Sequence, residues 1–368
     1  MNKSTFIFNS GRKEYLYDDN KAKDHFYTAT LFIKEEKYVE IIEFEEERKS
    51  IFSKFLYLYD KVLNRFFSVP SYTHKLVTLK NLKILMKSKK IYLVNESVGF
   101  SSLPMLICIK LLTKNKINLF VMGLYSKNLN YNFFQGIHNF FIKLLILMTD
   151  NVLFLGEGEM KKAEIFHIKS NKLKNVGFGI DTNFWKNSDI VSKQNRDYIL
   201  FVGNDQNRDT QLLLDIALIK PDLNFLFLTN LKFSEKKLPD NIKLIRGNWK
   251  NSSINDHELK EIYKKALITI IPLKDTFQPS GQSVCLQSMC VGTPVLISKT
   301  KGFWDTNLFK DQVNIYFANN SLSDWSKKID KILDYGPEVQ KVISNSQNTV
   351  LSELNIQNYF KKIKLLTD

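Results

Sequence analysis

The sequence is poor in cysteine, proline and glycine. Its 368 residues include 3 cysteines, 8 prolines and 14 glycines, and so little proline and glycine excludes a collagen-like or low-complexity chain. The cysteines are odd in number, form no CxxC pair and have no histidine at metal-ligand spacing: Cys108, Cys285 and Cys290. They predict reduced thiols in an apolar core, and we expect a cytoplasmic protein without a metal site.

Long apolar runs are also missing. The longest, 140–148, is interrupted by Lys143 and is shorter than the ~20 residues that span a bilayer. Near the amino terminus the apolar stretch 6–8 ends at Asn9, which is too short for a secretory signal. We therefore expect neither a transmembrane span nor export.

Several catalytic motifs do not occur. The sequence contains no GxGxxG and no GxxxxGK(S/T), which argues against dinucleotide-dependent redox chemistry and P-loop hydrolysis. HExxH, GxSxG and paired-carboxylate patterns are missing as well. The tryptophans show no regular spacing with basic residues, so we expect no nucleic-acid partner. The histidines are scattered singly and predict packing or surface residues: His25, His74, His138, His167 and His257.

Acidic residues are outnumbered, with 38 Asp and Glu against 53 Lys and Arg, a net charge of +15. Residues 1–194 hold 30 basic and 19 acidic side chains, so this half carries +11 of the charge. Between Lys61 and Thr149 there are 13 basic residues and one acidic residue, Glu96. The positive field of such a segment attracts nucleic acid, an anionic membrane surface or a phosphorylated substrate. The alternative is that these side chains form a solvated basic face with no partner.

Apolar residues are abundant: they make up 44% of the chain, and many of them are aromatic. They suffice for a large core, and the length predicts two domains. Strand-like and helix-like segments alternate in both halves, which predicts doubly wound α/β domains, and the apolar run 267–272 predicts a central parallel strand. We predict a first domain 1–185, a polar linker 186–196, a second domain 197–345, and a C-terminal helix 346–368 that could cross back to the first domain.

Ligands of open α/β sheets bind beyond the carboxyl ends of the strands. After the strand that ends at Val202, Arg208 stands at the start of the next helix, where it is suited to bind phosphate oxygens bidentately. An ordinary surface arginine is the alternative. After Ile271, Ser280 could cap the following helix and Gly281 lets a ligand approach the backbone closely. The alternative is a capped helix that binds nothing.

From residue 198 onward the chain resembles the retaining nucleotide-sugar glycosyltransferases of the GT-B fold, in particular family 4. The strongest match, SGQSVCLQSMCVGTPVL at 280–296, is similar to the family's donor-site helix and its AMACGTPVI turn and strand. VGFGIDTNF at 176–184 resembles the family's NGVDTxxF crossing between domains. The resemblance implies an α/β protein with two Rossmann-like, doubly wound domains that face each other across a cleft.

The resemblance also implies a set of donor-binding residues: Gly203, Asn204, Arg208, Lys274, Gln278, Ser280, Gly281, Gln282, Ser283 and Gln287. Arg208 is the principal cation for the donor diphosphate and Lys274 a second one. The sequence departs from the family at its two donor-site glutamates, whose positions hold Pro279 and Gln287. Gln287 can still bind two ribose hydroxyls, because an amide has donor and acceptor atoms. Gln278, Ser280 or the Gly281 amide would replace the first glutamate at the transferred sugar.

In the first domain, the loop after the first strand, Asn9, Ser10 and Gly11, would approach the donor phosphates as the domains close. Glu96 follows the strand 91–94 and would orient or deprotonate the acceptor hydroxyl. A surface glutamate or a cap of the next helix is the alternative for Glu96. Arg208 and Glu96 are therefore the predicted catalytic residues.

The implied reaction moves a sugar from a nucleoside-diphosphate sugar to an acceptor hydroxyl, with retention and with no metal or cofactor beyond the sugar nucleotide. We expect a glycan or lipid-linked acceptor, in the synthesis of a cell-surface polysaccharide or glycolipid. The basic first half and the apolar helix 132–148 suggest an anionic membrane surface as a partner, with the protein peripheral on its inner face. The alternatives are a catalytically inactive GT-B-like protein that binds nucleotide sugar or glycan, and an epimerase, for which acid and base residues are too few.

Overall fold

A computed structural model describes residues 3–36, 38–45, 50–126, 129, 131–165, 171–187, 193–233, 238–247 and 254–368. The chain divides into two compact units. The first comprises Met1–Asp18, Phe26–Gly177 and Phe360–Asp368, and the second comprises Asp19–His25 and Phe178–Tyr359. The segment Asp19–His25 thus packs with the second unit, although the predicted first domain ran from 1 to 185. Part of the predicted linker, 188–192, and His167 lie outside the described residues.

The first unit is built on a six-stranded parallel sheet in the order β2-β1-β3-β4-β5-β6. Its strands are β1 (Lys3–Phe8), β2 (Tyr38–Glu43), β3 (Lys90–Leu93), β4 (Lys116–Val121), β5 (Asn151–Phe154) and β6 (Leu173–Asn175). Its helices are α1 (Lys13–Tyr17), α2 (Ala29–Glu35), α3 (Ile51–Phe67), α4 (Thr73–Leu76), α5 (Leu79–Met86), α6 (Glu96–Leu112), α7 (Asn132–Met148) and α8 (Glu157–Ile165). The direction of strand addition reverses between β1 and β3, so the loops after these two strands flank the switch point of the sheet.

Aromatic side chains fill the core of the first unit. Phe6 of β1 stacks on Tyr92 of β3 with ring centroids 4.5 Å apart, and Phe32 of α2 packs edge-on against Phe6. Phe360, in the C-terminal segment of this unit, packs edge-on against Phe32 at 4.8 Å. These contacts bury large apolar surfaces on one face of the sheet and stabilise the unit.

The second unit has a six-stranded parallel sheet in the order β12-β11-β10-β7-β8-β9. Its strands are β7 (Tyr198–Val202), β8 (Phe225–Leu228), β9 (Ile242–Ile245), β10 (Ala266–Ile271), β11 (Val295–Ser298) and β12 (Tyr316–Ala318). Its helices are α9 (Thr182–Trp185), α10 (Thr210–Leu218), α11 (Asp256–Lys265), α12 (Gln282–Val291), α13 (Leu322–Leu333) and α14 (Pro337–Glu353), and α15 (Ile356–Thr367) begins in this unit and ends in the first.

The strand β10 lies in the interior of this sheet, between β7 and β11, as its continuous apolar sequence predicts. Ile268, Ile270 and Ile271 are fully buried, because helices cover both faces of the sheet. Strand addition reverses between β7 and β10. The switch point of the second unit is therefore flanked by the loop after β7 and the loop after β10.

Candidate functional site

The loops after β7 and β10 are joined to each other by backbone hydrogen bonds at the switch point of the second unit. Asp209 N donates to Pro272 O at 3.0 Å, and Lys274 N donates to Asn207 O at 2.9 Å. The Asn207 side chain adds two further bonds: its Nδ2 donates to Ser280 Oγ at 3.1 Å, and Thr276 Oγ1 donates to its Oδ1 at 2.9 Å. Asn207 thereby fixes one loop against the other. The sequence analysis did not identify it, because its partners lie more than sixty residues away.

Arg208 is held at the centre of this junction, with 4% of its surface exposed. Its Nε forms an ion pair with Asp205 Oδ2 at 2.9 Å. Among the described residues, the buried Nη1 of Arg208 has no hydrogen-bond partner. A buried cation with an unsatisfied N–H group is unfavourable by itself and favourable when an anion binds to it.

Two glycines make room for the guanidinium. A Cβ atom at Gly203 would lie 2.4 Å from Arg208 Nε, and one at Gly281 would lie 3.0 Å from Arg208 Nη1. Gly281 also has φ +83°, a backbone conformation that favours glycine. The predicted residues Gly203, Arg208 and Gly281 therefore form one assembly.

A cavity of about 490 Å³ opens beside Arg208. Its lining residues come from the loops after β7, β8 and β10: Asn204, Gln206, Arg208, Thr210, Asn230, Leu231, Lys232 and Lys274. Three of them are cations and none is acidic. Lys274, whose Nζ donates to Gln206 O at 3.1 Å, is exposed at the edge of the cavity. This volume falls in the range of small-molecule sites, and the positive lining suits an anionic ligand.

The helix α12 starts beside this cavity, but Ser280 does not cap it. The N-cap residue is Gly281, which has no side chain to accept a hydrogen bond from the first turn. The expectation that Ser280 caps the helix was wrong, because its hydroxyl is instead bound by Asn207. Gln282 and Ser283 are the first two residues of α12, and Gln278 accepts a hydrogen bond from Ser280 N at 2.9 Å.

Gln287, the predicted ribose ligand, is part of a buried hydrogen-bond network. Its Oε1 accepts from Tyr263 OH at 3.1 Å, and its Nε2 donates to Asp24 Oδ2 at 2.7 Å. Asp24 also accepts from Asp181 N at 2.7 Å and from Trp185 Nε1 at 3.0 Å. Asp24 stands in the segment Asp19–His25 of this unit, far from Gln287 in the sequence, and the sequence analysis did not identify it.

The environment of Asp24 changes its acidity. Burial raises its pKa from 3.8 to about 7, although the hydrogen bonds from Asp181, Gln287 and Trp185 favour the ionised form and lower it. Asp24 consequently titrates near neutral pH. The side-chain amide of Gln287 can form one further hydrogen bond through its NH2 group and one through its oxygen, because it has two N–H bonds and two lone pairs.

The predicted residues of the first unit lie at its own switch point. Gly11, with φ +83°, turns the chain after β1. The backbone N–H groups that follow are bound by Glu43, whose Oε1 accepts from Arg12 N and, at 2.6 Å, from Lys13 N. Asn9 and Ser10 precede this turn, and Asn9 Oδ1 accepts from Ser97 Oγ at 3.4 Å. The loop 9–11 is therefore ordered by side chains of its own unit.

Glu96 is the first residue of α6 but not its cap. Asn95 is the N-cap residue and accepts from Val98 N at 2.9 Å, so the cap alternative for Glu96 was wrong. Glu96 Oε2 accepts from Met122 N at 3.4 Å. The neighbouring Glu159, fully buried, accepts from Gly123 N and Tyr125 N.

The pKa of Glu159 is raised from 4.5 to about 8, first by burial and then by the negative charge of Glu96. The two carboxyl groups thus interact at the carboxyl ends of β3, β4 and β5. The sequence analysis identified Glu96 and missed Glu159. Glu159 stands in the first turn of α8, where an acidic residue is common for electrostatic reasons and carries no signal of a site.

The two Rossmann-like units with parallel sheets define the GT-B fold, as expected. Sucrose-phosphate synthase of Thermosynechococcus elongatus is similar to this chain with a TM-score of 0.71 at 11% identity, covering 99% of this chain and 98% of that chain. HepE of Anabaena, solved with UDP, has a TM-score of 0.65 at 11% identity and covers 99% and 98% of the two chains. TarM of S. aureus has a TM-score of 0.58 at 12% identity, and the match spans 78% of this chain and 57% of TarM.

Residues 184–349 match the family model of glycosyl transferases group 1. The match confirms the predicted class of enzyme, a glycosyltransferase, and agrees with the resemblance to glycosyl transferases group 1. No curated protein sequence matches the chain significantly. Within the described ranges, no helix has the length and apolarity to cross a bilayer, and no three His, Cys, Asp or Glu side chains are grouped as metal ligands.

Proposed function

We propose that this glycosyltransferase uses a nucleoside-diphosphate sugar whose diphosphate binds in the cavity beside Arg208. The observation that carries the proposal is the buried guanidinium, whose Nη1 has no partner among the described residues and which borders a cavity lined by two more cations. The site lies at a topological switch point, where α/β sheets bind ligands. HepE, which is similar in fold, is described in complex with UDP and with UDP-glucose.

In this proposal the protein accelerates departure of the diphosphate by stabilising its developing charge. Arg208 acts from a fixed position, because Asp205 and two glycines hold its side chain before the ligand arrives. Lys274 adds a second charge from the edge of the cavity, and the positive end of the α12 dipole begins at Gly281, beside the Arg208 guanidinium. Cations and N–H groups that are already in place need no reorganisation during the reaction, and this preorganisation is the main source of electrostatic catalysis.

The roles that we propose for the remaining predicted residues come from the family resemblance. Gln287 binds ribose hydroxyls with the hydrogen-bonding positions that Tyr263 and Asp24 leave open. Gln278, Gln282 and Ser283 surround the transferred sugar at the start of α12. In the first unit, Glu96 orients the acceptor hydroxyl.

The finer features of the proposal rest on the family resemblance. They are retention of the anomeric configuration, transfer without a metal ion, and an acceptor that is a glycan or lipid-linked glycan in cell-surface polysaccharide or glycolipid synthesis. TarM, similar in fold, is described in complex with a glycosylated glycerol and UDP, which supports a hydroxyl acceptor. We place the protein at the inner face of a membrane, peripherally bound, because its first half is strongly basic.

A thermal-shift screen with nucleoside diphosphates and their sugars tests the donor site. We expect at least one of them to raise the Tm of the wild-type protein, because a ligand that binds only the folded state stabilises it. Lys274→Ala should weaken this stabilisation and Arg208→Ala should abolish it. Arg65→Ala, an exposed arginine of α3, is the matched control and should behave as wild type. No stabilisation by any nucleoside diphosphate would contradict the proposed donor site.

A further inference from the structure

The helix α3 turns an apolar stripe outward. Ile51, Phe55, Leu58, Val62 and Phe66 recur at intervals of three and four residues, which places them on one face. That face is exposed: the exposed fractions of Ile51, Phe55 and Leu58 are 89%, 68% and 59%. The opposite face packs into the first unit through the buried residues Ser53, Leu56, Asp60 and Leu63. A helix that is apolar on its exposed side is unusual for a protein surface.

The helix α7 extends this apolar surface. Its exposed large side chains, Phe133, Phe140 and Leu147, repeat every seven residues. The two helices pack against each other: His138 Nδ1 of α7 donates to Phe67 O of α3 at 2.8 Å. Their aromatic residues continue from one helix to the other, since Phe134 lies 6.5 Å from Phe66 and 5.7 Å from Phe133 between ring centroids.

We call this surface the α3/α7 face and define it by its exposed apolar residues: Ile51, Phe52, Phe55, Leu58, Val62, Phe66, Phe133, Phe140 and Leu147.

All exposed charges on these two helices are positive. Lys54, Lys61 and Arg65 border the stripe of α3 on one side, and Lys143 stands on the exposed side of α7. The single acidic residue of the two helices, Asp60, is 2% exposed. Its carboxylate is satisfied within the unit, where Ser71 Oγ, Thr73 Oγ1 and the backbone N–H of His74 donate to it.

We propose that the α3/α7 face docks on an anionic lipid bilayer, with α3 in the plane of the interface. Aromatic and aliphatic side chains enter the boundary between headgroups and acyl chains, and the adjacent Lys and Arg side chains bind lipid phosphates. The charges argue against a second copy of the chain as the occupant, because a two-fold symmetric contact through this face would bring its like charges together. This inference rests on the proposed peripheral membrane location, to which it adds the docking surface, and it is independent of the donor chemistry.

Vesicle flotation tests the docking. We expect the wild-type protein to float with vesicles of phosphatidylcholine and phosphatidylglycerol, to bind weakly to phosphatidylcholine alone, and to lose affinity as salt rises. The double variant Phe55→Ser/Leu58→Ser should bind at least about tenfold more weakly, because two side chains no longer enter the apolar layer. Lys61→Gln/Arg65→Gln should lose about 25-fold on the anionic vesicles, at about fivefold per cation.

A matched control separates this face from exposed apolar residues in general. Leu218→Ser/Leu365→Ser removes two exposed leucines from other helices and should bind vesicles as wild type does. Because all four substituted apolar residues are exposed, the Tm of each variant should match that of the wild type. Nucleotide-dependent stabilisation should be the same in all variants, so failure of the donor proposal and failure of the docking proposal give different results.

Two results would overturn the proposal. One is equal flotation of the wild type and the Phe55→Ser/Leu58→Ser variant, or no flotation of either. The other is a wild-type dimer in analytical ultracentrifugation that this double variant converts to a monomer, since a second copy would then cover the face.

Discussion

Replacement of Asp24 by asparagine should change how the stability of the protein depends on pH. Burial raises the pKa of Asp24 in the folded chain to about 7, whereas in the unfolded chain the carboxyl group has its ordinary pKa of 3.8. The folded state therefore binds this proton more tightly than the unfolded state does. This tighter proton binding at Asp24 contributes to the free energy of unfolding. The contribution is fully present below about pH 4, declines as pH rises, and is lost above about pH 7.

The size of the effect follows from the pKa difference. A difference of one pKa unit corresponds to about 1.4 kcal/mol in the free energy of unfolding. The full difference from 3.8 to about 7 therefore corresponds to about 4 kcal/mol. About 3 kcal/mol of this change occurs between about pH 4.5 and pH 8.5. Asparagine has nearly the same shape and keeps an oxygen that can accept from Asp181 N and Trp185 Nε1, but it does not titrate. The variant should lack this part of the pH dependence.

Denaturant unfolding of both proteins across this pH range measures the effect. The free energy of unfolding of the wild type, relative to Asp24→Asn, should fall by about 3 kcal/mol from about pH 4.5 to pH 8.5. Taking the difference between the two proteins cancels other titrating groups, including Glu159. A difference that stays constant with pH would refute the claim that burial controls the acidity of Asp24.

Three further substitutions test the two switch points. Gly203→Ala should displace the Arg208 guanidinium, which lies 2.4 Å from the new Cβ, and should weaken nucleotide binding about tenfold or more in calorimetry. Gly136→Ala, on α7 with no atom within 4 Å, should leave binding unchanged. Glu159→Gln should remove a decline in stability between about pH 4.5 and pH 8, measured by Tm, because its raised pKa favours the folded state only while it is protonated. Glu96→Gln should lower kcat for transfer under saturating donor and leave nucleotide affinity unchanged; an unchanged kcat would exclude Glu96 from the reaction.

Much of the fold could be predicted from local sequence. The apolar run of β10 predicts its burial on both faces, and the predicted apolar helix 132–148 has the bounds that the structure gives α7, Asn132–Met148. The start of α6 is harder to predict from local sequence. Gly99, Ser101 and Pro104 weaken the helical pattern there, whereas the structure begins the helix at Glu96 after the cap Asn95.

The site was predictable only where one segment carries the signal. Arg208 and Gly281 stand in the loops that follow β7 and β10, so strand position and residue type identify them. Asn207, Asp24 and Glu159 could not be found in this way, because their roles come from partners brought together by tertiary structure. The hydrogen bond between Asp24 and Gln287 joins residues 263 positions apart. Likewise, the charge of the first half indicated a basic surface but not that α3 exposes its apolar side.

The most direct test of the donor site is the release of nucleoside diphosphate from a panel of nucleoside-diphosphate sugars, measured for the wild type and for Arg208→Ala. We expect the wild type to turn over at least one sugar nucleotide and the variant to be about 10²- to 10³-fold slower, which is the usual effect of removing one preorganised group that stabilises developing charge. Lys274→Ala, at the exposed edge of the cavity, should show a smaller decrease and is less prone to unfolding. Equal turnover by the wild type and a folded Arg208→Ala variant would contradict the central claim.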